Sequence, residues 1–174
     1  MDYTNICDTL FYYSKSSNKP VGKGVNERVL NYDIYDELNK IKDWRKILSN
    51  LYCHEFVYNN KIYNSVEHAF QAKKKEIANK VKAYWFCKNS GNTIGLIERK
   101  NRKRMSRTIG ELNKWNNTKD KIMEDILLAK FTQIPIAKKV LLLTHNAILL
   151  HGTKRISISR QYNLEKIRNE LKIF

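Results

Sequence analysis

Apolar residues recur at helical spacing along most of this chain, and strand-like stretches are short. From Ile34 to Leu51 the positions Ile34, Leu38, Ile41, Trp44 and Leu48, with Tyr35, predict one helix packed on a core. Between Glu55 and Tyr63, β-forming residues flank Asn59-Asn60, a pair that tolerates positive φ, and predict a short hairpin. Ser65 then stands at an N-cap position, and Val66, Ala69, Phe70 and Ile77 form the apolar stripe of the helix after it. Val81, Tyr84 and Trp85 predict a second helix over 79–88, Gly91 a turn, and residues 96–107 a basic helix or loop. Beyond Trp115, Thr118 is the capping candidate for a helix carrying Ile122, Met123, Ile126, Leu127 and Phe131. Pro135 opens another at its first turn, running through Val140 to Thr144. A final helix over 161–172 presents Tyr162, Leu164, Ile167 and Leu171. Residues 11–31, with Pro20, Gly22 and Gly24, read as a loop. The pattern is that of a mainly α (α+β) protein, a single compact domain of helices with a small β-hairpin.

Length agrees with one domain, since 174 residues leave little room for a second independent core. No stretch approaches the roughly 18 consecutive apolar residues that a bilayer span requires, so no membrane partner is expected. The opening Met-Asp-Tyr-Thr-Asn-Ile resembles neither a secretory signal nor a transit peptide, which predicts a cytoplasmic, intracellular protein. Cys7, Cys53 and Cys87 are widely spaced, outside any Cys-x-x-Cys pair, and read as small buried apolar residues. A zinc site, a disulfide framework and a bound cofactor are not expected. Lys and Arg number 33 against 17 Asp and Glu, a net charge of +16 that favours a phosphorylated partner, with nucleic acid among the candidates. The basic residues are spread along the whole chain, so charge alone does not separate a nucleic-acid binder from an enzyme for a small phosphate ester.

The most informative chemistry lies on the helix that Ser65 begins. Glu67, Gln71 and Lys74 fall at i, i+4 and i+7 and project from one face, while the apolar stripe covers another. A carboxylate in the first turn meets the positive end of the helix dipole, and Lys74 can neutralise a phosphate or a departing base. The same spacing also describes an ordinary solvated helix face. Gly22 and Gly24 offer a backbone against which a phosphate could rest, although Gly-x-Gly outside a strand–helix context equally describes a flexible loop.

Leu48-Ser-Asn-Leu-Tyr52, Phe56-Val-Tyr-Asn-Asn-Lys-Ile-Tyr63 and Ser65-Val-Glu-His-Ala-Phe-Gln-Ala-Lys-Lys74 together resemble the signature of the YbiA-like NADAR family: a Ser-Asn-aromatic segment, a hairpin, and Ser/Thr-x-Glu-His-aromatic-x-Gln-Ala-x-Lys. The resemblance continues through Arg102, Trp115, Met123, Lys130-Phe131-x-Gln133 and Thr144, and returns at Arg160-Gln161. It makes residues 47–172 the family core and leaves 1–46 as a divergent N-terminal loop and helix. What it implies is an N-glycosidase or ADP-ribosyl hydrolase acting on a ribosylated nucleotide, such as a riboflavin precursor or ADP-ribosylated guanine in nucleic acid. Cleavage of an N-glycoside passes through an oxocarbenium-like state, which a nearby carboxylate stabilises. Glu67 is the candidate for that role. Lys74 either holds phosphate as a cation or attacks the anomeric carbon as an amine. Asn50 and Gln71 are candidates for substrate hydrogen bonds. Trp115 stacks on the base or fills the core, and Arg102 contacts phosphate unless a neighbour in Arg-Lys-Asn-Arg-Lys-Arg takes its place. His68 points about 100° from Glu67 on the helix and suits a structural hydrogen bond.

Departures from the family pattern bear on the substrate. Where many members carry an acidic residue and a Trp-Gly pair, this chain reads Leu149-Leu-His151-Gly-Thr-Lys-Arg155. Either Glu67 suffices, or His151 or Glu27 of the N-terminal region supplies the second group, with the loop of Gly22, Gly24 and Glu27 closing over substrate. Two other functions compete: a non-catalytic module for ADP-ribose or NAD, and a basic nucleic-acid-binding protein, for which no recognised motif is present.

Overall fold

Thr-Leu-Phe-Tyr at residues 9–12 withdraws its last three side chains from water, the pattern of a strand covered on both faces. In the computed structural model, which describes residues 7–91, 107–153 and 156–173, this strand is β1 (Thr9–Tyr12). It pairs in parallel with β4 (Ile148–Thr153), Thr9 facing Ile148 and Tyr12 facing His151. β4 pairs antiparallel with β5 (Ile156–Arg160), so the sheet runs β1-β4-β5.

The chain divides into two compact units, Met1–Ser49 with Pro135–Phe174, and Asn50–Ile134. The first is built from both ends of the sequence. Besides the sheet it contains α1 (Asp36–Asn39), α2 (Trp44–Leu48), and two helices from the far end, here α6 (Pro135–Leu143) and α7 (Tyr162–Leu171). Leu10, Tyr35, Leu38, Trp44, Leu48, Val140, Leu141, Leu149, Leu164 and Ile167 form its core, each contributing about 1.5–3 kcal/mol when fully buried. The helix expected over 34–51 is broken. Asp33–Tyr35 is a 3-10 turn, and Asp43 stops the chain between α1 and α2 at φ 58°, a left-handed conformation that a short polar side chain tolerates. The periodic residues Leu38, Trp44 and Leu48 are buried all the same, whereas Ile34 is exposed.

Two buried cations fasten this unit. Arg45 grips Glu27 through Nε to Oε1 at 2.8 Å and Nη2 to Oε2 at 2.7 Å, and it also donates to the carbonyls of Lys19 and Pro20. Arg168 donates to Thr144 Oγ1 and to the Ala147 carbonyl, both at 2.8 Å, tying α7 to the segment that leads into β4.

The second unit holds the expected hairpin, β2 (Phe56–Tyr58) and β3 (Lys61–Tyr63), turning through Asn59 and Asn60 at φ 48° and 59°. Two positive φ values in a two-residue loop match the twist of the strands. Next come α3 (Val66–Glu76), α4 (Lys80–Tyr84) and the long α5 (Ile109–Gln133). α5 begins earlier than expected: Thr108 caps it in a capping box with Glu111, whereas Thr118 lies inside and donates its hydroxyl to the Lys114 carbonyl. At its other end Gln133 accepts from the Val57 N–H and donates to the Val57 carbonyl, clamping the hairpin edge. Cys87 is buried as expected, but Cys7 and Cys53 are exposed, since neither falls on an apolar stripe. The basic stretch 96–106 lies outside the described residues. Among the described residues no helix is long and apolar enough to cross a membrane.

The Glu27–Arg45 pair is nearly without solvent access, 0% for the Glu27 side chain and 4% for Arg45. Removing one partner strands a buried charge, at a cost of about 3–5 kcal/mol. Arg45→Met is expected to lower unfolding free energy in urea by that amount; a loss below about 1 kcal/mol would show that the pair does not hold the N-terminal segment.

Candidate functional site

The candidate row depends on how α3 starts. Ser65 is extended (φ −164°, ψ 162°), and its hydroxyl accepts from the His68 N–H at 3.2 Å while lying 2.9 Å from His68 Nδ1. Both side chains are buried, so His68 is a structural partner of the cap. The Glu67 N–H, in the first turn where no intrahelical acceptor exists, donates to the Asn50 carbonyl at 3.0 Å. The Ser-Asn segment therefore anchors α3 through its backbone.

From that anchored start the side chains emerge as the spacing requires. Gln71 Nε2 donates to Glu67 Oε1 at 3.0 Å, holding the carboxylate in one orientation. Glu67, Gln71 and Lys74 are all half-buried, a setting in which they meet both protein and solvent. Lys74 Nζ stands 5.9 Å from the centre of the Trp115 ring. Trp115 is only 5% exposed and packs on Phe70 with ring centres 5.0 Å apart, so its bulk fills the core between α3 and α5. Asn50 completes the group: its side-chain amide faces Met123 Sδ at 3.8 Å. Five of the residues expected from sequence, Asn50, Glu67, Gln71, Lys74 and Trp115, thus belong to one unit. Cation, amide and carboxylate follow one another along one helix, an arrangement that can bind an anion and steady a developing positive charge.

The remaining expected residues do other work or lie elsewhere. Gly22 and Gly24 do bring their backbone close to an anion, but the anion is the protein's own: both N–H groups donate to Glu27 Oε2 at 2.9 Å. A Cβ on Gly24 would meet that carboxylate at under 3 Å, and one on Gly22 would strike the Tyr32 ring. Glu27, with Arg45 on its other side, is a buried structural anion of the first unit. The loop amides expected to meet a phosphate and the carboxylate expected as a replacement acid thus satisfy one another within this unit. His151 sits on β4 of the first unit, its ring 5.3 Å from that of Tyr12, and burial pushes its imidazole below the usual range. Arg102 lies outside the described residues.

One lysine that periodicity does not single out is conspicuous in the fold. Lys130 is 1% exposed on the inner face of α5, with Nζ 4.8 Å from the Phe131 ring centre and 5.6 Å from that of Tyr52. Burial pushes its ammonium down to about 7. Its sequence signal was its register: Trp115, Ile126, Leu127 and Phe131 are the buried residues around it, and a lysine in that stripe marks a buried amine.

The chain matches the model of the NADAR domain over residues 38–158, more than half its length and including every described residue of the α3 row. Among solved structures, the NMR structure of YbiA from E. coli has the same fold, with a TM-score of 0.62 at 22% identity, covering 74% of this chain and 79% of that one. No curated protein matches.

The depressed Lys130 ammonium has a consequence for stability. Unfolded, the amine titrates near 10.4, so between about pH 7 and pH 10 the unfolded chain binds a proton that the folded chain lacks. Stability contributed at this position is therefore lowest below pH 7, where the charge is buried, and rises with pH through that window. Lys130→Met is expected to be more stable than the parent at pH 6 by an amount that shrinks by a few kcal/mol towards pH 10. Urea unfolding at pH 6, 8 and 10 measures it, and a difference flat across pH would refute the buried charge.

Proposed function

The chain belongs to the NADAR family, and on that premise we propose that it is a hydrolase that cleaves the N-glycosidic bond of a ribosylated nucleotide. The observation that carries the reading is the α3 row: Glu67 held by Gln71 through a 3.0 Å hydrogen bond, its main chain fixed to Asn50, with Lys74 further along the same helix. In the proposed reaction the bond between C1′ of the ribose and the base nitrogen breaks, its electron pair leaving with the base. Positive charge then spreads over C1′ and the ring oxygen, where the Glu67 carboxylate stabilises it. A water oxygen adds to C1′ and its proton passes to Glu67, and a proton delivered to the departing nitrogen completes the balance. Gln71 keeps the carboxylate aimed, and in this reading Asn50 hydrogen-bonds ribose or base. Lys74 neutralises substrate phosphate or, as an amine, attacks C1′ in place of water and expels the base; the bond from C1′ to the ring oxygen then opens to leave an imine, which water hydrolyses to free the sugar and restore the amine.

The substrate class within this reading is a riboflavin-precursor-like nucleotide or an ADP-ribosylated guanine in nucleic acid. Presenting both to the protein and reading released base or released ADP-ribose by mass spectrometry distinguishes them. Glu67→Gln preserves shape and removes charge from the transition state, so turnover is expected to fall at least about a hundredfold with binding retained. Near-normal turnover in that variant would sink the role given to Glu67, and a parent protein that binds both substrates but releases neither base nor ADP-ribose would favour a module that binds without cleaving.

The two roles of Lys74 separate chemically. If it is the nucleophile, borohydride added during turnover reduces the imine and leaves a sugar adduct on Lys74. With no adduct and an active Lys74→Arg variant, its role is to hold phosphate.

A further inference from the structure

The three-stranded sheet of the first unit ends differently on its two sides. On the outer edge of β1, Thr9 exchanges backbone hydrogen bonds with Arg28 at 2.7 and 3.2 Å, the Phe11 N–H donates to Glu27 Oε1 at 3.3 Å, and the Tyr13 N–H donates to Ser16 Oγ at 2.9 Å. The protein's own groups therefore close that edge. In the second unit Gln133 closes the hairpin edge at Val57 in the same way. β5 is paired on one side, with β4, and among the described residues no other backbone segment pairs with its outer side. Ser157, Ile158, Ser159 and Arg160 are all exposed. Strand edges are ordinarily blunted by proline, by lysine or by a covering segment, and the Ser-Ile-Ser centre of β5 has none of these among the described residues.

The register fixes which backbone groups are turned outward. Ser159 faces His151 and Arg160 faces Leu150, and just past the strand the Gln161 N–H donates to the Leu149 carbonyl at 2.8 Å. Backbone groups alternate in direction along an antiparallel strand, so Gln161 and Ser159 point toward β4 while Ile158 and Arg160 point away from it. An added antiparallel strand must set outward residues opposite outward residues. The same β5 from a second copy meets that condition with Ile158 opposite Ile158, which also places Ser157 opposite Ser159. Ile158 is 49% exposed and lies across Gly152 of β4, where a Cβ would meet its Cγ1 at 3.0 Å. Glu165 matches the Arg160 guanidinium at 2.8 Å. The edge thus offers an acidic peptide no bare guanidinium, and two copies meet there without opposing one. We propose that β5 is a self-association edge, along which two copies pair β5 to β5 about a twofold axis at Ile158 and join their sheets into one. Such a contact is isologous, the commonest kind between identical chains. Five residues a side, with Tyr162 exposed just beyond, make a small interface of the weak, concentration-dependent class.

Sedimentation velocity of the full chain from about 10 to about 300 µM is expected to show monomer passing to dimer. Each copy carries a net charge of +16, so the dimer fraction is expected to be larger in about 0.5 M than in about 0.05 M sodium chloride, where the repulsion is less screened. Ile158→Lys sets like charges opposite each other across the axis and is expected to weaken association at least about tenfold. Val25→Lys makes the same charge change at an exposed position on the loop that covers the β1 edge, and is expected to leave association unchanged. A cross-link reads the register directly. In a Cys7→Ser, Cys53→Ser background, which removes the exposed thiols, Ile158→Cys is expected to form a disulfide-linked dimer with oxidised glutathione as the oxidant. Paired residues of this kind lie about 5.5 Å apart at Cα, whereas Ser159→Cys faces residue 157 of the other copy and is expected to cross-link at least about tenfold more slowly. A monomer across the whole range, association that weakens with salt as an anionic partner's would, association undiminished in Ile158→Lys or equally lost in Val25→Lys, or cross-linking as fast at Ser159 as at Ile158, would each overturn the proposal.

Discussion

The parallel pairing of β1 with β4 is the constraint from which the rest of the architecture follows. Thr9 must meet Ile148, so nearly the whole chain lies between two strands that hydrogen-bond to each other. Closing so long a loop costs entropy that grows only slowly with its length, but the ordered result needs a core supplied from both ends. Leu10 and Tyr12 from one end and Leu149, Leu164 and Ile167 from the other provide it. The intervening residues 50–134 are then able to form a unit with its own hairpin, helices and buried side chains.

A strongly basic chain has to place some cations where water is scarce, and each case here is handled differently. Arg45 is matched by a carboxylate and two carbonyls, and Arg168 by a hydroxyl and a carbonyl. Lys130 lies against the rings of Tyr52 and Phe131, whose faces attract a cation. Lys75 lies among other cations. The first two fasten the fold. The last two lie in the unit that also carries Glu67, and burial is the largest cause lowering both ammonium groups from their usual range.

The glycine loop shows how a local pattern can be right about geometry and different in its partner. Gly22 and Gly24 do present amides to an oxyanion at close range. The oxyanion is Glu27, only a few residues on, and Arg45 balances its charge. A local anion carries no cost of association, so an intramolecular carboxylate takes a cradle that would also suit a phosphate.

Signals confined to a few neighbouring residues were legible in the sequence. Asn59-Asn60 fixed the hairpin turn, Ser65 the start of α3, Pro135 the start of α6, and the i, i+4, i+7 spacing put Glu67, Gln71 and Lys74 in one row, because caps, turns and helical periodicity depend only on local backbone geometry. The helix break at Asp43 is hidden because the apolar period continues across it, and Thr108 and Thr118 offer the same capping hydroxyl, so which of them opens α5 is settled by the folded backbone. The three-stranded sheet was not legible at all: β1 and β4 are short, far apart in sequence, and acquire their strand character from pairing with each other. The same holds for Glu27 with Arg45. Which charged groups are buried together is decided by tertiary packing, since only the folded chain removes the water that would otherwise separate them.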